Sequence, residues 1–184
     1  MAVGYEIREG EELLMKASSI VVSIFFLCLS SLAHSQHQLG VSVSAASVDG
    51  DDLDASFTNA GIAYEYYVPG SNFSFEIEAL SGGSDEVSGV DFDVNYYVTS
   101  KLNFGIPSGD NFFYASIGGG FIEVEGSRCY YGCYSVTEDG SGVVAGVGAN
   151  FQVSQSVRID LSVDVGFGDL EDTTAVTGSL RWQF

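Results

Sequence analysis

Basic side chains are scarce: the chain carries six Lys and Arg against 25 Asp and Glu, a formal net charge of −19. That balance excludes nucleic acid as a partner, because phosphates are held by clustered cations that are missing here. Histidine is scarce as well, with two in the whole chain. The one past residue 35, His37, stands outside the recognisable strand patterns, so a histidine-based nucleophilic site finds no support. Cysteine is limited to three residues. After residue 35, no apolar run reaches the ~18 residues that a transmembrane helix requires. If that part of the chain enters a membrane, strands must carry it.

The one long apolar run, "SIVVSIFFLCLSSL" from Ser19 to Leu32, follows Lys16 and precedes Ala33-His34-Ser35. A positive charge, an apolar stretch and a small-x-small site are the three parts of a secretory signal. Residues 15–35 therefore read as a signal peptide that begins at Met15 and is cleaved before Gln36. Residues 1–14 place four glutamates where such a signal needs positive charge, and read as a misassigned extension. Cys28 follows Leu27, where a lipoprotein signal would need a small residue. Residues 36–184 make one domain, in which Lys101, Arg128, Arg158 and Arg181 face 21 acids; four minus 21 gives −17.

Eight segments of that domain alternate apolar and polar residues, the period of a two-faced strand. "FSFEIEAL" sets Phe73, Phe75 and Ile77 against Ser74, Glu76 and Glu78. "VDFDVNYYV" sets Val90, Phe92, Val94 and Tyr96 against Asp91, Asp93 and Asn95. "VRIDLSVDVGF" sets Val157 to Phe167 against Arg158, Asp160, Ser162 and Asp164, and the last stretch sets Leu180, Trp182 and Phe184 against Arg181 and Gln183. The other four, "LGVSVSAAS", "TNAGIAYEYYV", "FYASIGGGF" and "VVAGVGANFQ", alternate in the same way, with Glu65 on the polar side of the second.

Such strands could close a soluble sandwich with a dry core or a membrane barrel with a polar bore. Aromatics crowd the ends of the apolar faces (Phe73, Tyr96, Phe113, Phe151, Phe167 and Trp182), as interfacial girdles do. The polar faces are thick with Gly, Ser and Ala, which suits the inside of a narrow barrel. Short connections such as "VSQS" alternate with long ones such as "GSRCYYGCYSVTEDGS", and a longer connection is expected around Lys101 to Asn111. The expected fold is all-β: an eight-stranded, antiparallel, up-and-down transmembrane β-barrel with both ends of the domain at the periplasmic side.

With the signal peptide, the final "SLRWQF" and the segment "YASIGGGF", close to a "YVGAGVGY" strand, the sequence resembles the small eight-stranded outer-membrane β-barrels of the OmpA and OmpX type. The resemblance implies the outer membrane of a Gram-negative bacterium, with lipid and lipopolysaccharide as surroundings. It also implies that Leu180, Trp182 and Phe184 form the signal read by the barrel-assembly machinery.

The bore is expected to hold Glu65, Glu76, Glu78, Asp91, Asp93, Asp160 and Asp164 with Arg158 and Arg181. Buried charge must be paired, so the plain reading is a salt-bridge plug. The surplus of carboxylates leaves a narrow, cation-preferring pore as the alternative. Cys129 and Cys133, in an exported and oxidising setting, are expected to form a disulfide. It would pinch "CYYGC" into an aromatic knob, either a local staple or a contact surface for an extracellular ligand. The acids of "DGDDLD" (Asp49 to Asp54) could hold a divalent cation, but Ala60 stands where an EF-hand needs glutamate, so no metal site is assigned. Neither Glu76 with Glu78 nor Asp91 with Asp93 is set in a recognisable cleft, so no catalytic residue and no cofactor is assigned.

Overall fold

Period-two alternation gives each segment a face for lipid and a face for the interior, and antiparallel pairing satisfies the backbone between them. The computed structural model describes residues 36–184 apart from 51–52, 69–70, 130–132 and 171–172. Residues 1–14 and 15–35, expected to be an extension and a signal peptide, lie outside the described residues, as do Asp51, Asp52, Tyr130 and Tyr131. Nine antiparallel strands follow in chain order: β1 (His37–Gly50), β2 (Leu53–Tyr67), β3 (Phe73–Ser81), β4 (Ser84–Val87), β5 (Val90–Ser108), β6 (Asn111–Cys129), β7 (Cys133–Gln152), β8 (Val157–Gly168) and β9 (Thr173–Gln183). They form one sheet in which each strand pairs with the next in chain order except β3 with β4, β1 pairs with β9, and β3 pairs with β5, which closes the ring.

The ninth strand is a correction in count and not in architecture. β3 and β4 both pair with β5, at Leu80↔Tyr97 and at Ser84↔Asp93, so together they occupy one of eight barrel positions. The interruption is Gly82-Gly83, where Gly82 has φ +89°. The stretch from Ser81 to Gly89, "SGGSDEVSG", is therefore mostly strand. It turns at Ser88 and Gly89, whose φ values of 55° and 77° match the paired positive dihedrals of a type I′ hairpin turn.

Two expected connections are also strand. Residues 101–108 continue β5, and only Gly109 and Asp110 separate Ser108 from its partner Asn111. The third long loop is a ribbon in which β6 and β7 stay paired from Phe112↔Asn150 to Cys129↔Cys133. Length at the distal end thus lies in projecting strands and not in loops. His37 opens β1 and pairs with Tyr66, correcting its placement outside the strands. Its Nδ1 lies 2.7 Å from the Tyr64 hydroxyl.

Burial is inverted relative to a water-soluble core. Among the described residues, 20 buried side chains are polar or charged and 11 are hydrophobic, while Val41, Ile62, Ile117, Val147, Leu161 and Val176 are all more than half exposed. That is the pattern of a barrel whose solvent is hydrocarbon.

Candidate functional site

The ions inside the barrel follow from three adjacent registers. Glu65 of β2 stands beside Glu76 of β3, and Glu76 beside Lys101 of β5, all on inward positions. From the opposite wall Arg181 of β9 reaches across. Its guanidinium donates to Glu65 and Glu76, the latter at 3.2 Å, and lies 3.1 Å from Asp160 of β8. Lys101 Nζ lies 3.3 Å from Glu76 Oε1 and 3.0 Å from Asp164 Oδ2.

Neutral donors occupy most of the remaining lone pairs. The Asn103 amide donates to Glu65 at 3.3 Å and to Glu76 at 3.2 Å, and the Ser74 hydroxyl to Glu65. Tyr114 donates to Asp160 at 2.9 Å, Asn150 to Asp160 at 3.3 Å, and Ser116 and Ser162 to Asp164 at 3.3 and 3.2 Å. Space for these groups comes from the facing glycines; a Cβ at Gly148 would fall on the Tyr114 ring. Glu78 is buried beside the network with Oε1 lacking a hydrogen-bond partner. Five buried carboxylates therefore meet two buried cations, joined across the bore.

Of the nine residues expected in the bore, six lie there: Glu65, Glu76, Glu78, Asp160, Asp164 and Arg181. Asp91 and Asp93 do not, and are exposed on the outside. The register with β6 slips between Val94 and Tyr96, a β-bulge that reverses which alternate residues face inward. Val94 and Tyr97 are both buried, so Val90, Phe92 and Val94 are not on the lipid side with Tyr96 as the unbroken alternation predicts. Arg158 is only partly buried at the terminal end. It donates to the Asp110 carbonyl at 2.7 Å and to Asn150 at 3.0 Å, and has no ion pair among the described residues. Its place in the network is taken by Lys101. Gly105, Pro107 and Gly109 disguised that strand as a connection, yet Lys101 and Asn103 do alternate with Leu102, Phe104 and Ile106.

Above and below the ions the interior is apolar. On the terminal side Phe112 lies against Tyr67 and Tyr114, with ring centroids 5.5 and 5.9 Å apart. On the distal side Ala55, Phe57, Leu80, Val94, Tyr97, Val144 and Leu170 form a buried cluster, with Ile122 and Val124 packed on it. Leu170 lies between β8 and β9, and in the sequence only its apolar character marks it.

Outside, the aromatics fall at the two ends of the lipid-facing surface. Phe73 with Phe104, and Phe113 with Phe151, meet edge to face at 5.4 and 6.0 Å near the terminal end, where Trp182 is also exposed. Tyr96 stacks on Phe121 at 5.7 Å toward the distal end, near the exposed Phe167. Leu180 and Trp182 point outward from β9, and the Phe184 N–H donates to the His37 carbonyl at 3.0 Å. Cys129 and Cys133 form a disulfide at the tip of the β6–β7 ribbon. Among the described residues no group of His, Cys, Asp or Glu is arranged to hold a metal ion.

A closed ring of strands with an ionic interior, an apolar exterior and aromatic belts defines a small transmembrane β-barrel. A model of the outer membrane protein beta-barrel domain family matches residues 19–184. The chain belongs to that family and is an integral protein of the Gram-negative outer membrane. Among solved structures it is similar to Ail, the attachment invasion locus protein of Yersinia pestis, with 21% identity, a TM-score of 0.53, and 81% of this chain and 97% of that one covered. Neisserial surface protein A is 12% identical with a TM-score of 0.60, over 80% of this chain and 97% of that one. OprG of Pseudomonas aeruginosa is 11% identical with a TM-score of 0.53, over 82% and 96%. Ail has also been solved in complex with the heparin analogue sucrose octasulfate. No curated protein matches the chain. At these identities the likeness is one of fold.

Proposed function

We propose that the protein is a plugged outer-membrane anchor that presents an interaction surface outside the cell. One observation carries the plug: Arg181 reaches from β9 to acids on β2, β3 and β8, while Lys101 ties β3 and β5 to β8. Ion pairs from opposite walls leave an eight-stranded bore, narrow to begin with, crossed by side chains held at both ends. Aromatic and apolar groups close it above and below.

The presented surface is the β6–β7 ribbon. β7 pairs with β8 only from Gly142 onward, so Cys133 to Ser141 pair with β6 alone, and exposed Tyr134 and Val136 lie on that stretch. Its disulfide and paired backbone hold it in one shape without a partner, which favours binding by lowering the entropy lost on contact. Ail is a relative in fold that takes a polyanion, but the acids of this chain would repel one. A cationic extracellular ligand fits the charge here. Toward the membrane, outer-membrane lipid and lipopolysaccharide surround the apolar belt, and outward-facing Leu180 and Trp182, with Phe184, supply the strand for the barrel-assembly machinery.

Single-channel recording of the refolded protein in a planar bilayer tests the plug. The expected outcome is silence from the wild type, with brief cation-selective steps appearing in Lys101→Ala. Discrete steps in the wild type would replace the plug with a narrow cation channel, favoured by the surplus of buried carboxylates. Binding to cells or matrix that is lost on reduction and in Cys129→Ser would assign the contact to the ribbon; binding that survives both would place it elsewhere.

A further inference from the structure

Above the apolar cluster the barrel opens into a cavity of about 630 Å³, inside the ~300–1,000 Å³ range of small-molecule sites. Its walls come from across the barrel: Phe57 of β2, Phe92 of β5, Ile122 and Val124 of β6, and Leu170 between β8 and β9. Two carboxylates, Glu138 and Asp169, face it, against one cation, Arg128, while Asp139 borders it from a position paired with Glu123, whose carboxylate lies outside with Tyr96. Asp169 accepts a hydrogen bond from the Ser141 N–H at 3.4 Å, and Glu138 has no ion pair among the described residues. The wider extracellular surface has the same sign, with Asp85, Asp91, Asp93, Glu123 and Glu125 nearby in the projecting strands.

We propose that this cavity is a binding site for a small amphipathic cation, an amine with an aliphatic or aromatic body. Apolar walls remove the body from water at about 25 cal/mol per Å² of area buried. The carboxylates hold the ammonium, and the acidic field around the mouth raises its local concentration. An anionic amphiphile of the same size meets two like charges there. The site lies above the Arg181 network, so it stands or falls separately from the state of the bore.

The test is calorimetric titration of octylammonium into the full barrel in phosphatidylcholine nanodiscs, with empty nanodiscs as the blank and octanoate and octanol as comparison probes. Saturable one-site binding of octylammonium is expected, with octanol weaker and octanoate at the blank. Removing charge at two exposed positions, in Glu138→Gln with Asp169→Asn, should weaken octylammonium about tenfold, roughly threefold per carboxylate. Gly126 lines the cavity, and a Cβ there would touch Phe92 at 3.3 Å. Gly126→Trp should therefore abolish binding in a barrel whose folding is verified by circular dichroism. Octylammonium indistinguishable from the blank would overturn the site. Equal binding of octanoate, or no change in the carboxylate variant, would overturn its preference for cations.

Discussion

In the lipid-belt half the interior is filled by Arg181, Lys101 and their carboxylates, with the Phe112 and Tyr114 rings beneath them, whereas toward the cell exterior it is filled by Phe57, Leu80, Val94, Val144 and Leu170. The outer faces change in the opposite sense, from Val163, Leu161 and Ile117 in the lipid belt to exposed Asp91 and Asp93 beyond it. The same strands thus obey two solvents. Where hydrocarbon lies outside, polar groups go in; where water lies outside, apolar groups go in. On β5 the change coincides with the bulge at Asn95. On the third barrel position it coincides with the Gly82-Gly83 break, which the reciprocal bonds from Gly82 N–H to the Val94 carbonyl and from Val94 N–H to the Gly83 carbonyl place at the same height. Both irregularities let a strand reverse its facing side where the outside medium changes.

The sharpest way to break the ionic half is to remove its centre. Arg181→Ala leaves Glu65, Glu76 and Asp160 facing one another without their shared cation. Breaking a buried pair in this way destabilises by ~3–5 kcal/mol, to be read as a lowered urea midpoint of unfolding in lipid. Adding Glu65→Gln should recover part of the loss, because one of the unpaired charges goes with it. An unchanged midpoint in Arg181→Ala would show that water already reaches the network.

Next in size is a paired substitution that compares the two outer surfaces. Arginine in place of Val163, exposed within the lipid belt on β8, should cost about 2–4 kcal/mol near the midplane. Thr137 is exposed on the outer face of the ribbon above the belt, paired with Glu125, and Thr137→Arg should stay within about 0.5 kcal/mol of wild type. Equal losses at both positions would remove the distinction between the surfaces. In the apolar half of the interior, Leu170→Ala should lower stability by about 2–3 kcal/mol through the cavity it leaves. That loss should appear in the same unfolding curves without any change in the ionic network.

Within the lipid belt, the sequence was readable because one rule, period two with lipid outside, applies to every residue. It placed Glu65, Glu76, Asp160, Asp164 and Arg181 inward from alternation alone. The same rule failed at Asp91 and Asp93, because a bulge adds one residue without changing composition, and nothing in "VDFDVNYYV" marks where the pairing slips. It also failed beyond the belt, where polar residues on the outside of a projecting ribbon look like loop residues. The inward Phe57 and Leu170 sit singly among small, polar or acidic residues, too sparse for a period to register. Lys101 was hidden for a different reason: Gly and Pro further along β5 suggested a turn, yet Pro107 lies near the strand end, where a missing N–H is tolerated.

The smallest expected effect concerns the tip of the ribbon, and it separates the barrel from what the barrel carries. The disulfide between Cys129 and Cys133 closes a loop of five residues, and short closed loops gain least from cross-linking. The ribbon around it is held by cross-strand pairs such as Arg128↔Tyr134 and Gly126↔Val136, and β7 has no second partner strand there. Opening of the tip is therefore local, and Cys129→Ser should leave the global unfolding midpoint where it is. Loop closure of this length corresponds to ~2 kcal/mol. Amide exchange from Gly126 to Cys129 and from Cys133 to Val136 should accordingly quicken by about thirtyfold, while amides of β8 and β9 in the lipid belt keep their protection. A fall in the global midpoint would mean instead that the ribbon unfolds with the barrel, making the extracellular arm part of the barrel's cooperative unit.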